Sequence, residues 1–188
     1  MKKALGLVCL VGGCLLALTG GLHAQRHRDP LTQAEIDQVR DASWEPQQRL
    51  KLYVQFARDR LVKLEQMRND PKTKGRAQKT HDMLDDFLLI YDELNDNLDT
   101  YVERKDDIRK PLKNVIEADA ELQAKLRALK DAADVPTDEA KQYEFVLSNA
   151  LDTLDTSAED HRKLLADQED AAKNKKLKAH AKNSGSPE

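Results

Sequence analysis

A long heptad repeat between Leu94 and Ala133 restricts this chain to helical folds. Apolar residues recur there at alternating intervals of four and three, and the phase holds along the whole stretch. Only Lys105 and Asp119 interrupt the apolar series, so the stripe is too continuous for a loop and has the wrong period for a strand. A repeat of this kind is typical of helices that pack as in coiled coils. Its positions are Leu94, Leu98, Tyr101, Lys105, Ile108, Leu112, Val115, Asp119, Leu122, Leu126, Leu129 and Ala133.

Two further stripes supply partners for this repeat. Upstream it widens through Met83, Phe87 and Ile90, and a stripe that broad needs more than one partner helix. A second stripe runs through Leu50, Val54, Ala57, Leu61 and Leu64. A third runs through Ala140, Tyr143, Leu147, Ala150, Leu154, Ser157, His161, Leu164, Gln168 and Ala171. The sequence therefore predicts an all-α antiparallel helical bundle with coiled-coil-like packing.

The turn signals divide the chain into segments. Residues 1–24 read as a signal peptide, and residues 25–43 as a polar segment with one short helix that a capping box at Thr32 and Glu35 begins. The bundle is predicted over residues 44–172, and a Lys-rich disordered tail over residues 173–188. Trp44, just before the first bundle helix, is interpreted as a hydrophobic staple for the start of that helix, and a contact anchor is the alternative. Thr137 is predicted to cap the last helix, which should fade near Ala172.

Pro111 leaves the helix count open. A proline inside a helix costs about 3 kcal/mol and disfavours helix at the preceding residue, which favours a break and an up-down four-helix bundle. The heptad phase nevertheless survives across Pro111, and no Gly, Asn or Ser marks a turn between Glu103 and Leu112. A three-helix bundle with a long helix kinked at Pro111 is the alternative. The polar junction beside the proline favours the break.

The first residues predict export from a bacterial cell. Lys2 and Lys3 precede an apolar run, and Ala24 offers a small residue at the cut, which is the layout of a cleaved secretory signal. The mature chain would begin at Gln25 and lie in the periplasm or outside the cell. An uncleaved membrane anchor is one alternative, and a lipoprotein processed at Cys14 is another.

Charge and cysteine content exclude several functions. Both cysteines, Cys9 and Cys14, lie in the leader, so the mature chain would have no disulfide, thiolate metal site or cysteine nucleophile. Removing Lys2 and Lys3 leaves 29 basic and 34 acidic residues, a net charge of −5. Such a mixed and slightly acidic charge predicts no nucleic-acid partner.

His161 is the one candidate ligand on a predicted buried stripe. It could bind haem or a metal, with Met67 or Met83 as the second ligand, as in cofactor-carrying four-helix bundles. The other interpretation is a buried histidine that only forms hydrogen bonds. No spacing of Ser, His or acidic residues resembles a nucleophilic site. The sequence therefore assigns no catalytic, cofactor-binding or metal-binding residue.

These observations predict a non-enzymatic, exported binding or structural protein of the bacterial cell envelope. It would act through contacts with another protein or with an envelope component, and the Lys-rich tail could touch a membrane weakly. A ligand-carrying periplasmic bundle, with haem or metal at His161, is the alternative function.

Overall fold

The computed structural model of the protein describes residues 29–132 and 135–183, with side chains up to His180. These residues form six helices and no strand: α1 (Gln33–Asp41), α2 (Pro46–Asn69), α3 (Arg76–Glu103), α4 (Arg109–Lys130), α5 (Thr137–Ala140) and α6 (Glu144–Asn183). The all-α bundle is thus confirmed. The predicted signal peptide and the last five residues of the predicted tail lie outside the described residues.

The four long helices form the bundle. α2 packs on α3 and α4, and α6 packs on α4 and α3, so α3 and α4 occupy opposite corners. Consecutive long helices run antiparallel, which makes the neighbours α2 and α4 parallel, and likewise α3 and α6. The predicted stripes meet inside, where the largest fully buried side chains are Tyr91, Phe87, Leu50, Leu84, Ile90, Leu94, Leu98, Ile108, Leu112, Leu122, Leu126 and Leu154.

The chain breaks before Pro111, as the polar junction favoured. α3 ends at Glu103, and Lys105 adopts a left-handed conformation with φ of 60°. The N–H of Asp106 then bonds the carbonyl of Tyr101 at 2.9 Å, which closes the helix end in a Schellman-type turn. Pro111 lies in the first turn of α4, where its missing N–H has no helical partner to lose.

α1 docks on the bundle through a buried ion pair. The capping box is present, with Glu35 accepting from the backbone N–H of Thr32 at 2.7 Å. The same carboxylate accepts from both terminal nitrogens of Arg60 on α2, at 2.9 and 2.7 Å. Ile36 and Val39 alone could not hold so short a helix on the bundle, and the pair of Glu35 and Arg60 supplies the attachment.

Three local predictions are wrong. Trp44 does not staple the start of α2, because the turn that buries Ala42 leaves the indole 87% exposed. Thr137 begins the short helix α5 and makes no side-chain cap, and the chain turns again through residues 141–143 before α6 starts. α6 does not fade near Ala172, because its Ala, Leu and Lys residues favour helix and the lysines place cations at its C-terminal end.

Among the described ranges, no helix combines the length and the apolar character needed to cross a lipid bilayer. The predicted leader lies outside those ranges.

Candidate functional site

A set of five polar side chains, four of them buried and one half-buried, joins three helices inside the bundle. We call it the central network: Tyr91 and Asn95 from α3, Asp119 from α4, and Ser157 and His161 from α6. Asp119 has no exposed surface and His161 is 5% exposed. Because buried polar groups are costly without partners, the question is how each group is satisfied.

Asp119 is the acceptor at the middle of the central network. One carboxylate oxygen accepts the phenol of Tyr91 at 2.7 Å, and the other lies 2.9 Å from Nδ1 of His161. Burial, and next the negative charge of Asp119, raise the pKa of Tyr91 well above its usual value, so the phenol keeps the proton that it donates. The carboxylate thereby ties α3 and α6 to α4.

Asn95 closes the other side of the central network. Its amide oxygen lies 3.2 Å from Nε2 of His161, and its amide nitrogen donates to the hydroxyl of Ser157 at 3.0 Å. Both ring nitrogens of His161 are therefore engaged. Ser157 and His161 are each bonded to Asn95 and have no hydrogen bond to one another among the described residues, whereas activation of a hydroxyl needs a base in direct contact with it.

This geometry bears on the haem or metal alternative for His161. A ligating histidine needs one nitrogen free for the metal while the other is held by an acceptor. Here Asp119 would be a suitable holder of Nδ1, but Asn95 occupies the direction of Nε2. The described residues contain no group of three or more side chains that could hold a metal ion together.

The central network reaches the surface through a small cavity of about 300 Å³. Asn95, Ser157 and His161 form its inner wall. Leu98, Val102 and Leu164 form its apolar sides, and Asp99 and Asp160 line it as well. Every polar side chain of the inner wall is already hydrogen-bonded within the protein. This wall therefore presents to solvent only polar side chains that already have a partner.

A larger apolar cleft lies between the C-terminal halves of α2 and α4; we call it the α2/α4 cleft. Its volume is about 560 Å³. Buried leucines form its floor, and alanines recur at every fourth position from Ala124 on α4 to Ala132 just beyond the end of that helix. The lining is Leu61, Leu64, Glu65, Arg68, Asn69, Glu121, Ala124, Lys125, Leu126, Ala128, Leu129 and Ala132.

The charged residues around the α2/α4 cleft are paired with one another or with neighbouring helices. Glu121 accepts two hydrogen bonds of 2.9 and 2.8 Å from Arg58, and Lys125 lies 3.6 Å from Glu65. Arg68 bonds Glu139 of α5 at 3.3 Å. A ligand in the cleft would meet apolar side chains inside and neutralised charges at the edge.

Sequence reasoning found part of this arrangement. His161 was identified as a polar residue on a buried stripe, and Asp119 as a polar interruption of the heptad repeat. Their pairing was missed, as were Tyr91, Asn95 and Ser157 as its partners. Two polar positions on the buried stripes of adjacent helices were the available signal.

Comparison of the chain with protein-family models, with curated proteins and with solved structures gives no match. Function is therefore inferred from the side chains and surfaces of this chain.

Proposed function

We propose that this protein is an exported, non-enzymatic binding protein of the bacterial cell envelope, and that it acts by holding a segment of another protein in the α2/α4 cleft. The cleft carries the proposal. It opens to solvent on a chain whose residues are 35% charged. Ala124 and Ala128 are exposed and Leu129 is half-buried, above buried leucines at the floor of the cleft. Exposed apolar surface of this kind marks interaction sites.

The shape of the α2/α4 cleft favours a helical occupant. Ala124 and Ala128 lie one above the other on α4, and Ala132 follows two residues after that helix ends. Side chains this small let a second helix approach closely. Together with the half-buried Leu129, these alanines offer contacts for apolar residues at positions i, i+3 or i+4, and i+7 of that helix. Because the surrounding charges are already paired, most of the affinity would come from apolar burial.

The central network supports a binding role over a catalytic one. His161, the candidate general base of the central network, has both ring nitrogens bonded inside the protein. The same five side chains fix three helices against each other. This would hold α4, which forms one side of the α2/α4 cleft, firmly in place. A rigid surface lowers the entropy cost of binding.

A matched pair of substitutions on α4 tests the proposal. Ala128→Arg places a long charged side chain in the α2/α4 cleft, whereas Ala120→Arg places it at an exposed position that does not line the cleft. Each protein would be cross-linked in the native cell envelope, and the captured partners identified. We expect the unmodified protein and Ala120→Arg to capture the same partner and Ala128→Arg to lose it. Equal capture by all three would refute the cleft as the binding surface.

Export is tested separately by the intact mass of the protein recovered from cells. We expect a chain that starts at Gln25. A mass that includes Met1 would contradict cleavage, and a lipid-modified chain that begins at Cys14 would make the protein a lipoprotein.

A further inference from the structure

The last part of α6 projects beyond the bundle as a cationic helix. Gln168 accepts from the N–H of Ile108 at 3.1 Å, and Glu169 pairs with Lys113 at 3.1 Å, where α6 passes the start of α4. α6 then continues to Asn183. At 1.5 Å per residue the remaining helix extends about 20 Å past these contacts. Every residue from Lys173 to His180 is exposed.

This projection, residues 171–183, is hereafter the cationic extension. It contains five lysines and no acidic residue. Lys173 bonds Asp170 at 3.0 Å, whereas Lys175, Lys176 and Lys178 form no ion pair within the described residues. Lys175 and Lys178 are three positions apart and so lie on one face of the helix. The extension thus presents unneutralised positive charge, although the whole chain is slightly acidic.

The sole tryptophan lies at the same end of the bundle. Pro46, two residues after Trp44, lines one cavity together with Glu169 of α6 and with Arg109, Lys110 and Pro111 at the start of α4. The indole of Trp44 is 87% exposed, which is unusual for the largest apolar side chain. Tryptophan is the residue that most favours the boundary between water and lipid.

We propose that this end of the protein docks on the surface of a membrane that contains anionic phospholipids, with the cationic extension along the headgroups and Trp44 at the interface. The inference rests on the envelope location in the proposed function but not on the α2/α4 cleft, which lies at the opposite end of α2. Charge complementarity points to an anionic surface, and the exposed indole favours a lipid surface over a soluble polyanion.

The expected binding is weak and sensitive to salt. Each lysine near an anionic bilayer contributes about 1 kcal/mol, and this contribution falls off within a Debye length. Replacing two lysines should therefore lower partitioning onto vesicles by about 30-fold. An attachment of this strength is peripheral and reversible.

The test uses the exported chain, with its N-terminus checked by mass, and vesicles of phosphatidylglycerol mixed with phosphatidylcholine. Sedimentation measures partitioning, and the fluorescence of Trp44, the only tryptophan, reports whether that end reaches the lipid. We expect binding at low salt, a blue shift of the emission, and loss of both at high salt or on pure phosphatidylcholine.

Three double variants identify the surface. Lys175→Gln with Lys178→Gln should lower partitioning about 30-fold, whereas Lys175→Arg with Lys178→Arg keeps the charge and should bind as the unmodified protein does. Lys63→Gln with Lys79→Gln removes the same charge from exposed positions towards the opposite end of the bundle and should have little effect.

Several results would overturn the inference. They are equal binding to neutral vesicles, an equal loss in the variant that lacks Lys63 and Lys79, binding without a shift in Trp44 emission, and binding to polyglutamate in place of vesicles. Failure to bind vesicles would leave partner capture by the α2/α4 cleft untouched, so the two proposals fail separately.

Discussion

Nδ1 of His161 lies 2.9 Å from Oδ2 of Asp119, and both side chains are buried between α6 and α4. The other oxygen of Asp119 accepts from Tyr91 of α3, which lies at the opposite corner from α4. A single carboxylate therefore satisfies two buried groups from two helices. Interactions of this kind specify which helices meet and at which level, in addition to any stabilisation.

Removing the Asp119 carboxylate should destabilise the protein strongly. Asp119→Ala leaves the phenol of Tyr91 and Nδ1 of His161 without their acceptor, and each unsatisfied buried group costs about 1–3 kcal/mol. We expect the free energy of unfolding, measured with denaturant, to fall by about 2–6 kcal/mol. Asp152→Ala, at an exposed position of α6, should change it by less than about 0.5 kcal/mol. Similar losses in the two variants would show that Asp119 is not the central acceptor.

The attachment of α1 should depend on acid. The guanidinium of Arg60, followed by hydrogen bonds from Thr32, lowers the pKa of Glu35 from 4.5 to about 2. Because the folded pKa is the lower one, the stabilisation is complete above about pH 4.5 and is lost as the pH falls towards about 2. It amounts to on the order of 3 kcal/mol.

Glu35→Gln isolates this contribution from the other carboxylates. The unfolding free energy of the unmodified protein minus that of Glu35→Gln should shrink as the pH falls between about 4.5 and about 2. Glu45→Gln, at an exposed position, should follow the unmodified protein at every pH. A difference between Glu35→Gln and the unmodified protein that does not vary with pH would argue against the ion pair.

The sequence was sufficient for the architecture because periodicity decides which faces are buried. Four residues of the heptad repeat, on both sides of the break between α3 and α4, are buried: Leu98, Ile108, Leu122 and Leu126. The heptad repeat therefore identifies the buried face of both helices. The break itself was harder to predict, because the turn that closes α3 places Lys105 in a conformation that usually calls for Gly or Asn. A turn made by an atypical residue leaves no composition signal.

The central network could not be predicted because it depends on register. If the last two long helices paired directly about the turn signal at residues 134–137, Asp119 would face Asp152, which is exposed in the structure. In the structure, α5 and the turn at residues 141–143 lie between α4 and α6. The insertion shifts the pairing along α6 and brings His161 to Asp119. Glu139 of α5, which bonds Arg76 at 2.7 Å, helps to hold this inserted segment in place.

Pro111→Ala should have a small effect, since the chain already breaks before α4. The new N–H lies in the first turn and gains no helical partner, while the unfolded chain gains freedom. We expect the free energy of unfolding to fall by about 0.4–1 kcal/mol and the particle to keep its dimensions in small-angle scattering. An elongated particle would indicate that α3 and α4 can join into one helix.

Lys105, the left-handed residue in the turn that closes α3, offers a stabilising substitution. A left-handed conformation costs a residue with a side chain roughly 1–2 kcal/mol, and Lys105 accepts this cost to make the turn into α4. Lys105→Gly removes the cost but adds about 0.5–1 kcal/mol of backbone entropy in the unfolded chain. We therefore expect a net gain of up to about 1.5 kcal/mol in denaturant unfolding. Lys51→Gly, in the exposed interior of α2, should lose about 0.5–1 kcal/mol, because there the lysine is already in a favourable helical conformation. A loss at both positions would mean that the chain between α3 and α4 does not hold Lys105 in the left-handed region.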